Sequence, residues 1–362
     1  MLKLLKMKHE NNKNRRNLTM KRTSKLILTA VTAALTVIGC YTFLTVNSSF
    51  GNDKLQLRLA HGQAGNSEIG GTIAYLSDLV AEDESKGMEV SVYPGGVLGS
   101  ETAMIELVQA GILDMAKISA NTLGQFDDRY TIFSLPYLFV SQEHYYSAMA
   151  NSELVRELFN ATEDAGYIAI GYYCNGSRNF YLKDNVAVTD PSVLKGKKIR
   201  SMVSSTSMDM IEAMGGSPVP MSSSETYTSL QQGIVDGAEN TELALTVDKH
   251  EEIVRSYTYT EHQYTPDIYI ISTKTWNKLT QDQKDYLLNC FVKLNDNFVE
   301  KYNGMMDDAI AEAESYGVTV YRDIDKTAFI EAVQPIHENF LAKGEAYQAL
   351  YEDIQKYAQE GK

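Results

Sequence analysis

This 362-residue chain predicts an α/β protein built on two sheets, and three observations carry the prediction. Strand-like and helix-like periods alternate from residue 55 to 119 as a βαβαβ series with a mostly parallel sheet. The rhythm returns between residues 167 and 240, and a charged periodic segment then runs from a capping box at Thr280 to about Ser315. The length and an apolar fraction of 44% suffice for a sizeable core and favour two domains over one.

Each element has its own signal. "LQLRLA" sets Leu55, Leu57 and Leu59 on one face and Gln56 and Arg58 on the other, the period of a half-buried strand. Ile69, Ile73, Leu76 and Val80 recur at helical spacing behind Asn66 and Ser67, either of which could cap the first turn. "MEVSVY" alternates again, "ETAMIELVQAG" reads as a helix closed by Gly111, and "LDMAKIS" as a strand. In the second series come "YIAIGYYC", "KIRSM", a helix ending at Gly215-Gly216, "SPVPM", the helix "ETYTSLQQ" stopped by Gly233, and "IVDGAEN". The segment after Thr280-Gln281-Asp282-Gln283 is too long for one small domain and suits a strut crossing two.

Charge divides the chain. Residues 1–50 hold nine basic side chains and one acidic one, leaving 24 cations against 46 anions in the body, which argues against nucleic-acid or acidic-membrane binding by its general surface. No charge occurs from Leu26 to Phe50, so residues 1–50 read as a signal peptide or membrane anchor and the body as extracytoplasmic. "VIGC" resembles a lipobox that would leave Cys40 lipid-modified and the body tethered through its N-terminus. An uncleaved anchor over Leu26–Val46, or cleavage near Ser48 or Ser49, are the alternatives. Only Cys174 and Cys290 remain in the body, so no disulfide framework is expected.

Catalytic chemistry has little support. The histidines show no metal-ligand spacing, and Cys-x-x-Cys, Gly-x-Ser-x-Gly, the phosphate-binding loop and the dinucleotide fingerprint are all missing, so no cofactor is expected. What remains is a polar set at strand ends of the second series, where open α/β sheets place their ligands. "GSRNFY" supplies Arg178, "KIR" Arg200 and "DGAEN" Asn240. A guanidinium grips a carboxylate through two parallel hydrogen bonds. Pairing of Arg178 and Arg200 with local acids such as Asp184 or Glu239 is the competing reading.

From "LRLAHG" to about "WNKL" the chain resembles the extracytoplasmic solute-binding subunit of TRAP transporters, of the DctP type. The matching stretches are "YPGGVLGSETAMIELVQAGILDMA", "LPYLF", "GSRNFY", "LKGKKIR", "GGSPVPMSSSETYTSLQQGIVDGAEN" and "TEHQYTPDIYIISTKTW". The resemblance implies a two-lobed, periplasmic-binding-protein-like fold with a long helix spanning both lobes. They would comprise residues 51–175 plus 267–305 and 176–266 plus 306–362, close over one small carboxylate, and deliver it to a membrane permease. It implies that Arg200 binds the ligand carboxylate, with Arg178 and Asn240 as further contacts. Ser223 stands where relatives that bind sialic acid often place an aromatic ring, which argues against a bulky nine-carbon ligand. From the first lobe His61, Gln63, Glu68, Ser119 and Asn121 are the candidates, each of them equally open to a plain structural role. His262 is read as structural, near the hinge, and Trp276 as a packing anchor. The "GSRNFY" and "GAEN" forms look most like relatives that take sugar acids such as hexuronates and aldonates, with C4-dicarboxylate binding or a tethered solute sensor as the alternatives.

Overall fold

Two sheets organise the chain in a computed structural model that describes residues 54–174 and 176–359. The predicted signal peptide or anchor, and Cys40 within it, lie outside the described residues. The first sheet runs β2 (Met88–Tyr93), β1 (Leu55–Ala60), β3 (Met115–Ser119), β10 (Pro266–Ser272), β4 (Tyr167–Cys174). The second runs β11 (Thr319–Tyr321), β9 (Ser256–Gln263), β5 (Arg178–Leu182), β8 (Gly237–Asn240), β6 (Lys198–Ser201), β7 (Ser217–Pro220). Both are mixed, where alternation alone suggested mostly parallel strands. β10 returns from the second sheet and enters the first antiparallel to β3 and β4, and β5 lies antiparallel to β8 and β9.

The first sheet is buried on both faces, which is why β10 reads as a continuous apolar run. Ile268 and Ile270 point into one core with Ile118 and Tyr130, while Tyr269 and Ile271 point into another with Leu57, Leu59 and Ile73. The described residues from Leu55 onward form one compact unit.

The predicted strut is a single helix, Gln281–Ser315, opened by the Thr280–Gln283 capping box. Its 35 residues span ~52 Å at 1.5 Å each. Leu287, Phe291, Leu294 and Phe298 pack into the core of the first sheet, and Ile310 and Ala313 into that of the second, so one rigid element belongs to both. Burying each of the larger side chains contributes about 1.5–3 kcal/mol. The close approach depends on two glycines. A Cβ on Gly171 of β4 would meet the Phe291 ring at 2.9 Å, and one on Gly176, at φ 94°, would collide with the Tyr302 hydroxyl.

The chain passes between the sheets after β4, between β9 and β10, and along this helix. The helix Glu345–Gln355 then packs on helices Gln142–Asn151 and Glu153–Asn160, where Asp353 accepts a hydrogen bond from Ser152 Oγ at 2.5 Å and His144 Nε2 contacts the Ile354 carbonyl oxygen at 3.0 Å.

Candidate functional site

Strand register sets the chemistry of the second sheet. β8 lies between β5 and β6, with Phe180 opposite Glu239 and Arg200 opposite Ala238. Because side chains alternate faces along a strand, Glu239 shares a face with Phe180 and Arg178, whereas Arg200 belongs to the other face with Ala238 and Tyr181.

The Arg178 guanidinium accordingly meets Glu239. Nε donates to Oε2 at 2.6 Å, and Nη2 donates to Oε1 at 3.0 Å and to the Glu239 carbonyl oxygen at 2.8 Å. Nη1 donates to Asn240 Oδ1 at 2.8 Å, so four of the five N–H groups are engaged. His262 closes the group, with Nε2 at 3.4 Å from Glu239 Oε2, Nδ1 at 2.9 Å from Thr260 Oγ1, and its ring against Phe180. Burial alone would raise the Glu239 carboxyl, but Arg178 and His262 outweigh it and hold it down at about 2. Burial lowers His262 despite the carboxylate beside it.

Arg200 is a different case. Only 4% exposed, it donates through Nη2 at 2.8 Å and Nε at 3.2 Å to the Met221 carbonyl oxygen, and no carboxylate among the described residues lies within ion-pair distance. Burial depresses its pKa, an effect that Glu239 opposes and Arg178 reinforces. Of the two arginines, pairing with a local acid describes Arg178 and not Arg200.

The predicted contacts around Arg200 divide. Asn240 Oδ1 accepts from Arg178 Nη1 and from the Thr241 N–H, and its amide nitrogen makes no hydrogen bond among the described residues. Ser223 is exposed at the start of helix Ser223–Gln232 and donates to Asp248 Oδ2 at 3.0 Å. Burial raises Asp248, and the Ser223 hydrogen bond and the charges of Arg200 and Lys117 act against it. Asp248 therefore stands in the field of a cation from each sheet.

On the first sheet His61 directly follows β1, fully buried, with neither ring nitrogen hydrogen-bonded among the described residues. Burial, with Lys117, lowers it to about 4 against the pull of Asp267, so the ring is neutral at physiological pH. Ser119, which closes β3, donates its backbone N–H to Glu101 Oε1 at 3.1 Å. Asn121 is committed: Oδ1 accepts from Ser134, and Nδ2 reaches Met202 Sδ at 3.0 Å, two residues beyond Arg200. Beside it Gln125 Nε2 donates to the Val203 carbonyl oxygen at 2.6 Å. Gln63 and Glu68 lie on the loop and first helical turn after His61, half-buried and exposed, with no side-chain hydrogen bond among the described residues.

Sequence reading missed four groups here. Lys117, 2% exposed in β3, pairs at 3.1 Å with Asp267 at the start of β10. Glu101 accepts from Thr122 Oγ1 at 2.5 Å as well as from Ser119, and burial raises it despite Lys117. Asp248 is the fourth. A signal existed for two of them, since Lys117 interrupts the apolar run of β3 and Asp267 opens the otherwise apolar β10.

Two α/β bodies joined by crossing segments and a shared helix, with an un-neutralised buried guanidinium near groups from both, define a cleft-type solute-binding protein. The bacterial extracellular solute-binding protein family 7 model, DctP, matches residues 59–344, and the chain belongs to that family. A Salmonella typhimurium protein, the uncharacterized YiiZ, is 38% identical over 315 residues, covering 86% of this chain and 94% of its own. Among solved structures, a TRAP periplasmic solute-binding protein from Anaerococcus prevotii with bound α/β-D-glucuronate shares 34% identity at a TM-score of 0.81, over 85% of this chain and 99% of its own. Another from Sulfitobacter, with bound β-D-galacturonate, shares 29% at 0.78, over 83% and 100%. The protein is thus a binding component of TRAP-type uptake and not an enzyme.

Proposed function

We propose that this chain captures a sugar acid, a hexuronate or an aldonate, and presents it to its membrane permease. The observation that carries this reading is Arg200, a guanidinium buried in β6 with a single carbonyl partner and no carboxylate at ion-pair distance among the described residues. A buried cation asks for an anion, and a carboxylate supplies two parallel acceptors. One carboxylate suits the charges better than two. Arg178 and Lys117 are already paired with Glu239 and Asp267, and Asp248 acts electrostatically on Arg200 and would repel a second carboxylate. The remaining groups suit hydroxyls: neutral His61, whose buried ring nitrogens have no partner among the described residues, the amide nitrogen of Asn240, and Asp248 as acceptor. The relatives with glucuronate and galacturonate bound support the same class.

In this reading the lobes that close are residues 51–175 plus 267–305 and 176–266 plus 306–362, the final helix of the second packing on residues 142–160 of the first. The leader, through Cys40 or an uncleaved apolar segment, would keep the body at the outer face of the membrane.

A thermal-shift series tests the ligand class, using glucuronate, galacturonate, an aldonate, succinate and glucose. A ligand at about 100 times its dissociation constant adds about 2.7 kcal/mol. A shift with a uronate or aldonate and none with glucose supports the reading. A shift confined to succinate would replace it with C4-dicarboxylate binding.

A further inference from the structure

Two separate links place an acid beside the buried cation of β6. Arg200 donates to the Met221 carbonyl oxygen, and two residues further on Ser223 donates through Oγ to Asp248 Oδ2 at 3.0 Å. The second link runs through the sheet. Tyr181, Ala238 and Arg200 stand in line across β5, β8 and β6 and so share one face, and the Tyr181 hydroxyl lies 2.9 Å from Nδ1 of His250. Asp248 comes two residues before that buried histidine, at the end of the helix Glu242–Val247, and Lys249 between them turns the chain with a left-handed φ of 57°. Lys117 of the first sheet also acts electrostatically on Asp248, so the acid faces the space between the sheets.

Asp248 is half-buried, accepts from Ser223, and pairs with no lysine or arginine among the described residues. The other acids of this region are committed. Glu239 is paired with Arg178, Asp267 with Lys117, and Glu225 holds Ser222 in a capping box. A ligand entering beside Arg200 consequently meets one cation and one anion that have no ion-pair partner among the described residues.

Such a couple discriminates by charge. An acid with a single carboxylate gives it to Arg200 and can turn a hydroxyl to Asp248, whose ionised oxygens accept and do not donate. An aldaric acid, the same polyhydroxy chain oxidised at both ends, brings a second carboxylate, and like charges in a desolvated cleft repel.

We propose that Asp248 is the specificity-determining residue that fixes the ligand's charge, admitting sugar acids with one carboxylate and excluding aldaric acids. The proposal rests on the reading of Arg200 as the carboxylate anchor, and assigns the discrimination within that class to one side chain.

The test is calorimetry on the full-length protein with glucuronate, gluconate and glucarate, the last two differing only in the oxidation of one terminal carbon. A pH of about 8 favours ionised carboxyls on protein and ligand. Wild type should bind the better of the two monoacids about a hundredfold more tightly than glucarate, the scale of a like-charge penalty. Asp248→Asn, of the same shape without the charge, should narrow that ratio to about tenfold or less through a gain in glucarate affinity. Glucarate binding to wild type as tightly as the monoacids overturns the proposal. So does a ratio unchanged in Asp248→Asn, or one narrowed only by weaker monoacid binding. Should Asp248→Asn fail to fold, Asp248→Ser, smaller and equally uncharged, is judged by the same ratio. Binding of none of the three acids to wild type would overturn the sugar-acid reading and this proposal with it, whereas unchanged selectivity in the variant overturns this proposal alone.

Discussion

Two buried arginines two strands apart meet opposite fates, and the pleat decides which. Arg178 falls on the face of Glu239 and is neutralised within its own sheet; Arg200 falls on the other face and is not. On the proposed reading the protein keeps one guanidinium as structure and one as a receptor. A fixed internal pair stabilises only if both partners stay, whereas an unpaired buried cation costs stability that a ligand restores.

The sharpest attempt to break this contrast removes the internal acid. Glu239→Ala leaves Arg178 buried and unpaired, and should cost about 3–5 kcal/mol in urea unfolding. A loss under about 1 kcal/mol would mean that solvent, not Glu239, balances Arg178. Arg200→Ala should do the converse. Uronate affinity measured by calorimetry should drop by more than about 3 kcal/mol, over a hundredfold, while the ligand-free protein melts no lower than wild type. Affinity within a few-fold of wild type would remove Arg200 from the receptor role.

Acid melts sharpen the same comparison on the first sheet. His61 is lowered to about 4, so its neutral form is favoured on folding; that contribution is complete above about 6.5 and is lost as pH falls through about 4. Glu239, depressed to about 2, contributes above about 4.5 and loses that contribution as pH falls through about 2. Unfolding midpoints recorded from neutral to acid pH should therefore decline in two stages, and His61→Asn should reduce the first, which the buried His250, also lowered to about 4, shares, without touching the second. A single stage unchanged by that substitution would show that His61 is not the group being titrated.

The smallest effect is Ser223→Ala. It removes one exposed hydrogen bond to Asp248 and should change uronate affinity by no more than about 1 kcal/mol. A larger loss would place Asp248 at the centre of recognition.

Much of this architecture is legible in the residues. The alternation of β1 and β2, the glycine stops at Gly111 and Gly233 and the Thr280 capping box all point to elements that form where the pattern places them. Strand direction is less legible, because whether β10 runs with or against its neighbours depends on where the chain comes back from the other sheet. At the candidate site, residue type pointed to Arg178, Arg200 and Asn240, and could not distinguish a guanidinium paired within its own sheet from one left unpaired. That distinction depends on register between strands nearly 60 residues apart in sequence, which no local period encodes. Asn121 shows the limit from the other side. A buried amide looks like a ligand reader, yet Ser134 and Met202 take both its ends.

The two cysteines of the described body offer a practical use. Cys174 and Cys290 are buried and unbridged, and burial lifts both thiols, Cys174 to about 12, so neither reacts readily at neutral pH. A single cysteine introduced at exposed Val203, whose carbonyl meets Gln125 across the site, would be the one readily labelled thiol of that body. A dye attached there would sit at the seam between the sheets, turning the protein into an optical sensor for its own ligand.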